Sequence, residues 1–165
     1  MSRSLWSETR SVELRPGVHV VLRHIGGPED ALLWDRIQAR WSRTTAKMEA
    51  GARRELLAEF GDAEAAMDAV LPSASQWQSI REALEAKGLT SRPRDFGAAV
   101  NQWMHQSEAW IDAYSARVKE LITLGLVDGE KEYARLFEVG GPDLLSAAAN
   151  RVTEFHGLEK SQGEG

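Results

Sequence analysis

Between Arg94 and Leu124 the apolar side chains recur at the spacing of a single helix face. Phe96, Val100, Trp103, Ser107, Trp110, Tyr114, Val118 and Leu121 follow one another at steps of four and three, with Met104, Ile111 and Ile122 beside them. Such steps keep one side of a helix apolar. The large groups fall inside an arc of roughly 120°, wider than a bare coiled-coil seam. Pro93 stands before the run and Gly125 just past it, the usual punctuation of a helix. The spacing predicts one continuous helix over 94–124, the central helix of a small, mainly α domain.

A second period precedes it. Ser11–Arg15 and Val18–Ile25 are β-branched runs on either side of Pro16-Gly17. Val12 and Leu14 alternate with Glu13 and Arg15, and Val18, Val20 and Leu22 with His19, Val21 and Arg23. This predicts an N-terminal β-hairpin over about 11–25 with one apolar face. A lone two-stranded hairpin is marginal, so that face must lie on a helix or pair with another chain.

Pro28, Glu29 and Asp30 then open a helix, with proline in the first turn and acids at the positive end of the dipole. Leu33, Ile37, Trp41 and Met48 share a face, and Arg36, Arg40, Arg43 and Lys47 form a basic stripe on the other side. Beyond Gly51 the apolar phase moves to Leu56 and Phe60, which predicts a kink near that glycine. Shorter helices are expected over Asp62–Leu71, from Ser73 or Ser75 to Gly88 with Trp77, Ile80 and Leu84 on one side, and over Glu130–Glu138. Gly140-Gly141 should break the last of these, with Pro142 starting another. The domain expectation is a flexible arm at 1–10, a single helical domain over 11–156 and a disordered tail at 157–165.

At 165 residues, 42% hydrophobic and 27% charged, the chain can bury a core and reads as a soluble protein. It has no cysteine, so disulfides, thiolate metal sites and Cys nucleophiles are excluded. The first residues lack the apolar stretch of a secretory signal, and no run approaches the ~18 residues of a membrane span. A cytoplasmic location is expected. The net charge of −5 argues against nucleic acid as the main ligand.

The sequence offers little chemistry. His105, Glu108 and Asp112 are spaced along one helix as metal ligands or an acid/base group would be, but their phase puts them on the polar back. There is no Gly-x-Ser-x-Gly elbow, P-loop or Gly-x-Gly-x-x-Gly. No catalytic, metal or cofactor residue is therefore assigned. What remains is surface for partners: the hairpin residues Val18, Val20 and Leu22, and the stripe Arg36, Arg40, Arg43 and Lys47. The stripe could track phosphates with Trp41 nearby for stacking, which gives a nucleic-acid-binding regulator as the alternative reading. A solvated face explains the stripe better. Protein partners, a second copy of the chain included, are expected; nucleic acid and membrane are not.

The hairpin Val12–Arg23, followed directly by a helical region, resembles the start of tail assembly chaperones of long-tailed bacteriophages. The closing segment Pro142–Phe155 resembles their C-terminal helix. The resemblance covers about 30 residues near the two ends and leaves the middle unplaced. It implies a non-enzymatic protein that binds the extended tape measure protein during tail assembly in the host cytoplasm.

Overall fold

A computed structural model of the chain describes residues 9–89 and 94–163, with side chains described through Gly157. In chain order the elements are β1 (Thr9–Arg15), β2 (Val18–Arg23), α1 (Pro28–Phe60), α2 (Ala63–Val70), α3 (Ala74–Ala86), α4 (Phe96–Gln106), α5 (Glu108–Gly125) and α6 (Gly129–Gly163). The fold is mainly α with an N-terminal hairpin, as the two periods predict. These elements make two compact units. One comprises the described residues up to Trp41 together with those from Ala113 onward, and the other is Ser42–Asp112. Each has its own core.

In the first unit, β1 and β2 pair antiparallel from Thr9 opposite Arg23 to Glu13 opposite His19. Gly17, at φ 83°, takes the left-handed position that follows proline in a type II turn. An irregularity between Glu13 and Arg15 adjusts the strands to that turn. Val18, Val20 and Leu22 point inward and are buried, packed with Ile25, Trp34, Ile37, Val118, Ile122, Leu136 and Val152. The apolar face of the hairpin is thus covered by the chain's own helices, α6 among them. The buried positions of α1 in this unit are Trp34 and Ile37, while Leu33, expected on the apolar face, is 45% exposed.

α6 changes direction where Gly140-Gly141 predicts. Gly141 sits at φ 65°, ψ −155°, a conformation closed to other residues, and Pro142 begins the second half. The break frees a carbonyl, and the Arg15 Nη2 donates to Val139 O at 2.9 Å. Further along, Gly125 abuts Val152, and a Cβ on the glycine would overlap that side chain. Gly125→Ala is therefore expected to lose about 1–3 kcal/mol of stability by overpacking, read as a fall in the urea midpoint at unchanged slope. The α6 backbone continues to Gly163 where the composition predicts a disordered tail. Of the expected arm, Met1–Glu8 lies outside the described residues, and Thr9 and Arg10 belong to β1.

In the second unit, α2 and α4 pack through Ala66 and Ala99, both fully buried, with Leu56 and Val100 beside them. Small residues let two helix backbones approach closely. Phe60, Met67, Phe96, Trp103 and Trp110 surround this core. Asp62 caps α2 through the Ala65 N–H and Asp95 caps α4 through the Ala98 N–H. Trp103 Nε1 donates to Glu55 at 3.1 Å, and the Arg53 guanidinium lies 5.2 Å from the Phe96 ring centre.

Two expectations are corrected. The stretch 94–124 is two helices, because Ser107 leaves the helical region at φ −74°, ψ 143°. Its Oγ donates to Met104 O at 2.7 Å and accepts from Trp110 N at 3.2 Å, so one side chain ends α4 and caps α5. Conversely, α1 runs unbroken through Gly51, where a kink is predicted. Trp34 and Ala52 stand a whole number of turns apart, so the buried side hardly moves along α1, but it meets two cores. Trp34 and Ile37 serve the first core, whereas Ala52 and Leu56 serve the second. No helix among the described residues is long and apolar enough to cross a membrane.

Candidate interaction surface

The candidate ligands on the polar back of the expected central helix are divided between two helices. His105 lies on α4, Glu108 and Asp112 on α5, and all three are exposed. The His105 ring rests on Trp110, with centroids 4.3 Å apart. Among the described residues no group of three or more His, Asp or Glu side chains is placed to hold a metal ion.

Val18, Val20 and Leu22, expected as partner-binding positions, are 7%, 1% and 2% exposed. They belong to the core of the first unit. A period of two gives an apolar face but cannot say what covers it.

The basic stripe is exposed along its length. Arg36 and Arg40 belong to the first unit, Arg43 and Lys47 to the second. Arg40 does not stand free: its Nη2 meets both oxygens of Glu120 at 2.7 and 2.6 Å. Trp41, the stacking candidate, lies 5.0 Å from the Arg117 guanidinium. Burial pulls the pKa of Arg117 below its usual value, while Glu120 and Tyr114 raise it. Arg117 also donates to Gln38 Oε1 at 3.0 Å. The charges best placed to meet a phosphate backbone are thus partly engaged within the unit.

α3 is different. Its start is firmly specified: the Ser73 side chain accepts from Gln76 N while the Gln76 side chain accepts from Ser73 N, a reciprocal capping box. Its end is equally clear, with Gly88 at φ 72° and Leu89 N donating to Leu84 O at 2.9 Å. That closing bond brings Leu89 beside Leu84. Yet α3 buries none of its residues. Trp77 and Leu84 are half-buried, Ile80 is 39% and Leu89 54% exposed. The face is visible in the sequence; that it stays only half-covered among the described residues is not, since an amphipathic helix reads the same either way.

The hairpin supplies a second surface, at its rim. β2 is closed on its outer side, where Leu22 bridges Leu126, Val127 N donates to Val21 O at 2.9 Å and Arg135 donates to His19 O at 2.8 Å. Glu132 holds Arg135 for this contact and raises its pKa further. No described residue pairs with the outer side of β1. No protein-family model, curated protein or solved structure matches this chain.

Proposed function

We propose that this chain is a non-enzymatic assembly factor that holds an apolar segment of a protein partner. Its functional counterpart would be a tail assembly chaperone of long-tailed bacteriophages, acting on the tape measure protein in the host cytoplasm. The observation that carries the reading is the partly exposed apolar face of α3. Trp77, Ile80, Leu84 and Leu89 are held on a well-capped helix that contributes nothing to the core of its unit. Apolar groups ordered in this way suit a helix-in-groove or helix-on-helix contact, in which residues at i, i+3 and i+7 act as anchors. The hairpin and the closing helix supply the likeness to the chaperones.

Co-expression with a candidate tape measure protein tests it. The wild-type chain is expected to co-purify with that partner, and Ile80→Glu with Leu89→Glu is expected to abolish the capture. The double variant should keep the wild-type melting temperature within ~2 °C, because exposed substitutions cost little. Capture that survives both charges removes α3 as the contact. No co-purification of the wild type, with normal tails after deletion of the gene, overturns the chaperone reading. Salt-dependent DNA or RNA binding that is lost in the Arg36→Glu, Arg40→Glu, Arg43→Glu variant would put a nucleic-acid regulator in its place.

A further inference from the structure

We propose that β1 is a self-association edge: two copies of the chain pair β1 to β1 about a two-fold axis at Val12, joining two hairpins into one four-stranded antiparallel sheet. The inference concerns the hairpin alone and does not depend on what α3 binds.

The direction of the backbone groups follows from contacts on the far side of the hairpin. Val21 O accepts from Val127 and His19 O from Arg135, so both carbonyls face away from β1. In an antiparallel pair, opposite residues alternate between those that exchange both bonds and those that exchange none. Val21 and His19 are therefore of the second kind, and so are Ser11 and Glu13, which stand opposite them. Val12 opposite Val20 and Arg10 opposite Leu22 carry the bonds within the hairpin. The N–H and C=O of Ser11 and Glu13 then point to the outer side of β1. That leaves a row of donors and acceptors spaced for another strand.

Edges that must stay unpaired are commonly marked by proline, by charged side chains, by a bulge or by a covering element. Thr9–Glu13 has no proline, and the irregularity of β1 lies at its turn end. Arg10, the one cation in this stretch, lies 5.1 Å from the Phe155 ring centre and so leans toward the body of the unit. By contrast β2 is closed by Leu126, Val127 and Arg135. Among the described residues, one edge of the hairpin is closed and the other has no backbone partner.

Charge and register select a second copy as the occupant. With the axis at Val12, Ser11 faces Glu13 of the other copy, and the two exchange both backbone bonds on each side of the axis. Val12, half-buried in the single chain, meets Val12 of the other copy at the closer, non-hydrogen-bonded spacing. No like charges stand opposite. An axis at Glu13 would set carboxylate on carboxylate, and one at Arg10 guanidinium on guanidinium. An axis at Ser11 would replace the valine contact by serine on serine.

Sedimentation velocity of the full chain over a concentration series provides the test. The wild type is expected to show a reversible dimer. Ser11→Pro removes an N–H that only the outer side uses, so it should give a monomer with an unchanged circular dichroism spectrum. Should proline disturb the hairpin, a charge series decides. Ser11→Glu sets a new carboxylate against Glu13 of the other copy twice and should weaken the dimer about tenfold. Adding Glu13→Lys makes those contacts attractive and should restore it. A wild type monomeric up to ~1 mM overturns the proposal, as does a dimer indifferent to Ser11→Pro and to the charge series.

Discussion

Val20→Asp is expected to unfold the first unit, whereas Val21→Asp, one residue on, leaves it folded. Val20 is 1% exposed among Ile25, Ile122, Leu136 and other core residues, with no cation in that core to meet a carboxylate. An unpaired buried charge costs on the order of 5 kcal/mol, comparable with the whole stability of a domain. Val21 is 39% exposed on the opposite side of β2, where an aspartate keeps its water. Its cost is the strand preference of valine, about 1 kcal/mol at most. Trp34, buried in the same core as Val20, reports the difference: its emission should shift to the red in Val20→Asp and stay in place in Val21→Asp. A Val20→Asp chain that melts like the wild type and only loses a partner would return the hairpin's inner face to the role of docking surface.

The hairpin was legible because strand period, turn residues and a φ-positive glycine all agree at Pro16-Gly17. The same holds for the break in α6, since Gly140-Gly141-Pro142 removes helix preference from three adjacent positions. Ser107 was harder. It falls on the apolar stripe at helical spacing, so the pattern runs straight through it. Its hydroxyl nonetheless takes the backbone bonds that a continuing helix would have made. The one polar residue in an otherwise apolar series was the available sign. Gly51 misled in the opposite direction. A single glycine lowers helix stability by only about 1 kcal/mol, which the many other bonds of a 33-residue helix absorb.

The interaction surfaces were less legible for a physical reason. Sequence period shows which side of an element is apolar, and burial depends on what the rest of the chain brings to that side. Val18, Val20 and Leu22 are buried and the α3 face is only partly so, although both show clean amphipathic spacing. Charge behaves likewise. Arg36, Arg40, Arg43 and Lys47 form a stripe in the sequence, but the carboxylate that engages Arg40 comes from Glu120, eighty residues away. Exposed pairs of this sort add ~0–1 kcal/mol to stability, yet they decide whether a cation is available to a ligand. The open rim of β1 was visible in the sequence only as the edge that any hairpin has. It took Val127 and Arg135 to show that the other edge is closed.

Leu56→Ala should cost about 2–5 kcal/mol, while Leu57→Ala costs less than ~1 kcal/mol. Leu56 is fully buried against Ala52, Ala66, Val100 and Met104, and the alanine would leave a cavity among small neighbours that have little side chain to fill it. Leu57, the adjacent residue on the same helix, is 39% exposed. The contrast tests which side of α1 the second core holds. A helix resting on that core through Leu57 as much as through Leu56 would make the two substitutions cost alike. Chemical denaturation followed by the emission of Trp103 and Trp110, both packed at the second core, gives the two values directly. Equal losses would show that Leu56 is no anchor of the second core. A loss confined to Leu56→Ala means that α1 is held in that core by Leu56, with Leu57 standing outside it.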